Sequence, residues 1–495
     1  MPAITINIAQ QLLQPHIEAR PEKAALILGD ETRSYRQLWD YSQRFASLLQ
    51  TKGIEPGARV AILLPDSFAC YYVFFGCLLA GVVPVLVNPG VSRGDGEFIL
   101  NDSQAVLLVT RPENETATSV DASRLLPIGD DASFEAMLAA HAASVAPHVP
   151  HESDIAFMLY TSGSTGKPKG VPHLHQHVAF TVETSGRQLL QMTEHDVVFS
   201  TSKLFFAYGF GNSLTMPLAT GASVVLFPGR PGPEDILRIL ERHRPSVFFA
   251  VPTQYNLLLK VMEDASPFAS LRMCISAGEG LPASVFAEWL SLTGLEIING
   301  YGMSETLYLA IANPDGAQMP GSSGTLVPGH EARIVNDQGQ SVPSGESGRL
   351  LLRSGSIAPF YWNRPDKTAE TMLDGGWLDT GDIFIERDGH YYHQGRANDL
   401  FKVDAQWVAP ALVENALRTH PAVRECVVAG RPVADMLRPW AFIVPADGIK
   451  QSGELLGEMR DHVSRQLPRH MVPVRFVFVH ELPKTSTGKI QRFRL

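Results

Sequence analysis

Four short stretches of this 495-residue chain carry side chains able to handle a nucleoside triphosphate. The richest is Tyr160-Thr161-Ser162-Gly163-Ser164-Thr165-Gly166-Lys167-Pro168-Lys169-Gly170. Its glycines let backbone N–H groups approach an anion, its hydroxyls add donors, and Lys169 adds a point charge suited to phosphate. The order is not a Walker A loop, because Pro168 follows Lys167 where that loop needs Ser or Thr. A flexible Ser/Gly linker has no need of two lysines and a proline in this order. The stretch reads as a loop that holds a polyphosphate.

The second stretch is Asn299-Gly300-Tyr301-Gly302-Met303-Ser304-Glu305, directly after an apolar run. That places it at a strand end, where α/β folds bind ligands. Tyr301 offers a flat face for an adenine, Ser304 a donor for phosphate, and Glu305 a carboxylate for a hard cation such as Mg²⁺. The third is Thr380-Gly381-Asp382 followed by Gly395-Arg396. Asp382 suits the two hydroxyls of a ribose, and Arg396 suits phosphate or ribose oxygens. The fourth is Pro483-Lys484-Thr485-Ser486-Thr487-Gly488-Lys489, close to the end of the chain. Attack of a carboxylate on a triphosphate brings two anions together, so a cation that arrives late would act on the transition state.

The elements that must position these residues follow from pattern. At this length two or more domains are expected. Strands and helices alternate over residues 59–87 and again, after the phosphate loop, from about residue 177 to residue 263, which means parallel sheets covered by helices. In the phosphate-loop region residues 155–159 read as a strand, with helices near 177–190 and 211–218. Residues 320–396 change to short strands separated by Asn-Asp-Gln-Gly and Pro-Ser-Gly turns, an antiparallel β-subdomain. Beyond Arg396 a small α+β unit is expected. The predicted division is 1–395 and 396–495. The fold class is therefore α/β, with a large N-terminal domain of parallel-rich sheets, the antiparallel subdomain and a small mobile C-terminal domain.

Composition excludes other classes. Hydrophobic residues make up 45% and charged residues 19%, a globular balance. The formal charge of −10 argues against nucleic acid as a partner. Cys70, Cys77, Cys274 and Cys426 show no metal-ligand spacing and read as reduced core residues of a cytoplasmic protein. Residues 68–87 carry no charge, but Gly81 and Pro84 interrupt them, so a buried helix and a strand are expected instead of a membrane span. No signal peptide is read at the N-terminus.

Taken in order, the four motifs closely resemble those of the adenylate-forming superfamily, and the resemblance covers essentially the whole chain. Ser304 stands where that family usually has threonine. Residues 203–212 (Lys-Leu-Phe-Phe-Ala-Tyr-Gly-Phe-Gly-Asn) and 399–403 look most like the benzoate- and anthranilate-type aryl-CoA ligases. The resemblance implies adenylation of an aromatic carboxylic acid by ATP with Mg²⁺, then transfer to coenzyme A. It implies that Lys489, Thr161, Lys169 and Glu305 are catalytic, with Glu305 the metal ligand. It assigns the nucleotide to Thr161 through Gly166, Lys169, Gly278, Glu279, Asn299, Gly300, Tyr301, Gly302, Ser304, Asp382, Arg396 and Lys402. The acid pocket is implied at Phe206, Ala207, Tyr208, Gly209, Ser276, Ala277, Gly302, Tyr308 and Leu309, with Phe206 as an aromatic gate.

Four further positions depart from the pattern. Tyr308 replaces a histidine usually found near the acid's carboxylate. Asp404-Ala405 replaces a Ser-Gly or Asn-Gly pair that lets the pantetheine arm pass. Asn398 stands at the hinge position. The adenylation machinery is intact, and the thiol acceptor is CoA or the phosphopantetheine of a separate carrier protein. A non-catalytic adenylate sensor is the reading from another class. A monomer or a homodimer is expected.

Overall fold

The computed structural model describes every residue except 1–5, 162–166, 315, 320, 405, 434–435, 447, 484–489 and 491, and the side chain of Phe493. Two parallel-rich sheets dominate. The larger has nine strands. Its six central strands run parallel, in the order Ile297–Gly302, Met273–Ala277, Val247–Ala250, Val197–Ser200, Ser223–Val225 and Ala24–Leu28. Antiparallel strands close both edges. The second sheet orders Leu125–Pro127, Leu107–Thr110, Arg59–Leu63, Val83–Leu86 and Ile155–Thr161 in parallel, with Lys169–Leu174 antiparallel at its edge.

The uncharged segment of residues 68–87 becomes the helix Phe68–Leu79 and the strand Val83–Leu86. Every residue of that helix is buried. Ser67 caps its first turn, and Gly76 lets it lie against a second helix, where a Cβ would sit 2.8 Å from Phe45. Each large apolar side chain so buried contributes about 1.5–3 kcal/mol. Among the described residues no helix is long and apolar enough to cross a membrane.

The antiparallel region contains Glu331–Val335, Ser347–Arg353 and Trp377–Arg387, to which His390–Arg396 pairs as a hairpin. Beyond Arg396 come the hairpin Phe401–Val403 and Gln406–Val408, then a three-stranded sheet of Val423–Val433, Met436–Pro445 and Arg475–Phe478. Helices Pro410–Arg418 and Gly453–Ser464 share its core.

Three local expectations are refined. The phosphate loop was expected as a strand and an open loop. Its return segment Lys169–Leu174 is also a strand, and Pro172 is tolerated because that strand lies at the sheet edge. The helix expected near 211–218 runs from Ala207 to Thr220 and widens into π-helical turns over Gly211–Thr215. The helix near 177–190 likewise widens over Val182–Leu189. Such widenings recur at functional sites.

Candidate active site

Thr161 and Lys169 end the two strands of the phosphate hairpin and face each other across the ladder. Ser162, Gly163, Ser164, Thr165 and Gly166 lie outside the described residues, as does Lys489. The Lys169 ammonium sits 4.0 Å from the centroid of the Tyr361 ring. The Tyr361 hydroxyl donates to Glu305 Oε1 at 2.5 Å. Burial pulls the Lys169 pKa down, and the Glu305 charge partly restores it. A tyrosine that neither motif contains thus joins the lysine of one to the carboxylate of the other.

The Ser304–Thr306 turn is fixed through three consecutive carbonyls. Ser304 accepts from His173 Nε2 at 2.8 Å, Glu305 from the Ala358 N–H at 2.8 Å, and Thr306 from the Ser356 hydroxyl at 2.8 Å. A carbonyl only accepts, so His173 carries its proton on Nε2. The ring is fully buried, and burial pushes its pKa down to about 3. Leu307 follows at φ +64°, a strained backbone for a branched side chain.

Around Asp382, the residue expected to take the ribose, Tyr301 donates to Asp382 Oδ2 at 2.5 Å. Asp382 Oδ1 takes Arg396 Nε at 3.0 Å and His393 Nε2 at 3.2 Å. Burial would raise the Asp382 pKa, but the His393 hydrogen bond and the Arg396 charge outweigh it and hold the carboxyl below its usual range. The Tyr301 ring lies 4.9 Å from Phe384 and 5.9 Å from His393, the latter stacked. Gly300 and Gly302 keep the backbone close to its neighbours. A Cβ on Gly302 would stand 2.3 Å from the Tyr308 carbonyl, and one on Gly300 2.7 Å from Leu309. The Asn299 side chain donates to the Ser322 carbonyl at 2.9 Å. Gly278 has φ +87°, and Glu279 beside it accepts from the Thr253 hydroxyl at 2.6 Å. Lys402 is exposed, 4.6 Å from the Trp407 ring, on a hairpin whose Phe401, Val403 and Val408 are buried in the C-terminal core.

The residues expected to line the acid pocket are neutral and tightly packed. The Tyr308 hydroxyl donates to Asn212 Oδ1 at 2.5 Å, and Asn212 donates to the Ser200 hydroxyl at 3.3 Å. Tyr308 carries one proton, so in this arrangement it does not also donate to a carboxylate. Its ring stacks on Tyr208 at 6.0 Å, and Tyr208 donates to the Ile275 carbonyl at 3.2 Å. Gly211 makes room, since a Cβ there would stand 2.5 Å from the Tyr308 ring. Gly209 lies against the Lys203 backbone, Ala207 is buried, and Phe206 packs on Phe205 at 4.6 Å. Ala277 and Leu309 share a cluster with Tyr308. Ser276 follows the pleat to the face that Cys274 shares with Trp289, and its buried hydroxyl has no hydrogen-bond partner among the described residues.

The chain-wide comparisons agree with one another. A family model described as "AMP-binding enzyme" matches residues 13–362, and one described as "AMP-binding enzyme C-terminal domain" matches residues 412–489. The chain is 37% identical to a 4-hydroxybenzoate–CoA/benzoate–CoA ligase of Rhodopseudomonas palustris, covering 100% of this chain and 94% of that protein. It is 37% identical to a benzoate–CoA ligase of Thauera aromatica, covering 100% and 97%. Among solved structures it matches an anthranilate CoA ligase in complex with anthranoyl-AMP, with a TM-score of 0.93, 35% identity, and coverage of 100% and 97%.

Proposed function

The chain belongs to the AMP-binding enzyme family, and from that membership we propose an AMP-forming aryl-CoA ligase. ATP and an aromatic carboxylate form an aryl-adenylate with loss of pyrophosphate. The thiol of coenzyme A then displaces AMP to give the aryl thioester. The observation that carries the reading is the juxtaposition across residues 299–309. The buried carboxylate of Asp382, held by Tyr301, Arg396 and His393, lies on one side, and the neutral slot of Tyr208, Tyr308 and Asn212 on the other.

In this reading Asp382 accepts from the ribose hydroxyls, and Tyr301 packs against the base. The hairpin from Thr161 to Lys169 holds the phosphates, and Lys489 neutralises charge developing between the carboxylate and the α-phosphate. Glu305 fits Mg²⁺. Tyr361 occupies its Oε1, and among the described residues no three acidic, His or Cys side chains converge. Mg²⁺ would therefore be held by Glu305 with the phosphates of ATP, the usual arrangement for this ion. When bound it would supply charge neutralisation on the phosphates. Residues 1–395 would bind ATP and acid, and residues 396–495 would turn about positions 396–398 between the two half-reactions.

The test is ATP–pyrophosphate exchange over a panel of substituted benzoates, followed by mass analysis of the product formed with CoA. Acid-dependent exchange and an aryl-CoA product are expected. Exchange with no thioester would leave adenylation standing and move the acceptor to a separate carrier protein. No exchange with any aromatic acid would overturn the reading.

A further inference from the structure

The end of the chain is tied to the turn that follows Arg396. Arg492 Nη2 donates to Glu414 Oε1 at 2.5 Å, and its Nη1 to Asp399 Oδ2 at 3.4 Å. The Arg492 side chain is 24% exposed and Glu414 only 3%. Glu414 sits on the helix Pro410–Arg418, where its Oε1 also accepts from the Val428 N–H at 2.8 Å and its Oε2 pairs with Arg418 at 3.4 Å. One guanidinium fork therefore closes on carboxylates from two separate elements. Taking such charges out of water is costly, and packing alone could be met by an apolar side chain.

The two places joined are the two that matter for a moving domain. Arg492 lies three residues beyond Lys489, so about 11 Å of extended chain is the most that separates them. Asp399 directly follows Asn398 at the proposed hinge. We infer that Arg492 is a positioning residue for adenylation. By holding Asp399 and Glu414 it anchors the chain three residues beyond Lys489 to the turn beyond Arg396, which ties the reach of the lysine to the hinge. This rests on the role given to Lys489 above. The geometry of a reacting pair tolerates little error, a misplacement of about 1 Å costing on the order of 10²-fold.

Four full-length variants test it: Arg492→Met, Arg492→Lys, Asp399→Asn and Lys489→Ala. Each is measured for pyrophosphate exchange and for single-turnover transfer from preformed aryl-adenylate to CoA, with a thermal melt alongside. Arg492→Met should slow exchange about 10- to 100-fold through kcat, leaving KM for ATP and the transfer step within about twofold. Arg492→Lys should recover part of the rate, because it keeps the charge without the fork. Asp399→Asn should give a smaller loss in the same direction. Should Arg492→Met not fold, these last two variants decide. Equal losses in both half-reactions would make Arg492 a general fold anchor and overturn the inference. So would normal exchange in the Arg492 variants while Lys489→Ala abolishes it. If Lys489→Ala itself exchanges normally, the role of Lys489 falls first and this inference falls with it.

Discussion

Tyr301 and Tyr308 are seven positions apart on one strand-end segment, and both spend their hydroxyl on a buried partner. Tyr301 gives its proton to a carboxylate, and that carboxylate is also held by an arginine and a histidine. Tyr308 gives its proton to an amide, which passes the chain on to a serine hydroxyl. The proposed nucleotide half is thus built from charges with assigned partners, and the proposed acid half from shape and neutral hydrogen bonds. Charges aimed at a charged ligand in a dry site act strongly and tolerate little change. A slot made of rings and glycines can be resized with modest energetic cost. Substitutions on the first side should therefore remove activity, and those on the second should redirect it.

The largest effect belongs to Lys489, although it lies outside the described residues. Lys489→Ala should lower pyrophosphate exchange by about 10²–10³-fold, the scale for losing one group that meets developing charge. Transfer from supplied adenylate to CoA should suffer less. Near-normal exchange would remove the strongest charge from the nucleotide half and break the contrast.

A second effect concerns what that half stands on. His173 holds the Ser304 turn, and His175 and His177 lie close by in the same stretch, with His177 Nδ1 3.1 Å from His173 Nδ1. Burial lowers all three, His173 to about 3 and the other two to about 4. These folded-state values lie below the ordinary 6.5, so the unfolded chain takes up protons that the native state refuses. Stability is complete above pH 6.5 and falls as the pH drops toward 4, by up to about 1.4 kcal/mol per pH unit for each histidine. Urea unfolding at pH 7.5 and pH 5.5 should show a loss of a few kcal/mol. Equal midpoints at the two values would mean that the native state admits these protons.

Asp382→Asn should raise KM for ATP about tenfold and cost about 1–3 kcal/mol of stability, because Arg396 and Tyr301 lose a charged acceptor. The sign with pH is opposite in origin but alike in direction. A carboxyl held below its usual range contributes its full stability above the unfolded value and loses it as the pH falls from there through the lowered folded value. The wild type should therefore lose more stability than the variant between pH 5 and pH 3. An unchanged KM for ATP would place the ribose elsewhere.

This contrast also sets what the sequence could reveal. Thr161, Lys169, Glu305, Asp382 and Arg396 stand in short polar motifs that follow apolar runs, so their types and order already point to a nucleotide. Tyr361, which links Lys169 to Glu305, sits in no motif, and its role exists only because the 356–362 segment folds back onto the Ser304 turn. His393 had a signal in principle, since its strand pairs with that of Asp382 in a hairpin. Asn212 stood inside a quoted stretch, but its partner lies 96 positions away. The return strand Lys169–Leu174 was hidden by Pro172, which reads as a strand breaker unless the strand is known to be an edge. Alternating strands and helices gave the parallel sheets, because periodicity is local, whereas side-chain partners across the chain are not.

The smallest effect should be the most selective. Tyr308→His exchanges the phenol for a smaller ring of the kind usual in benzoate-type ligases. The change removes the bond to Asn212 Oδ1 and part of the stacking on Tyr208, each a neutral contact. An imidazole N–H can still serve Asn212, so the amide need not be left without a donor. Space opens beside Gly211, whose missing side chain now accommodates the tyrosine ring. A pocket that gains space of this order changes its discrimination between related acids by about tenfold, not by orders of magnitude. The ranking of kcat/KM across a panel should move toward unsubstituted and ortho-substituted benzoates. KM for ATP should stay within about twofold, because Tyr308 touches none of Tyr301, Asp382 or Arg396 through a hydrogen bond. An unchanged ranking would place Tyr308 outside the acid slot. A shift in KM for ATP as large as the shift in acid preference would mean that the two halves are one coupled site.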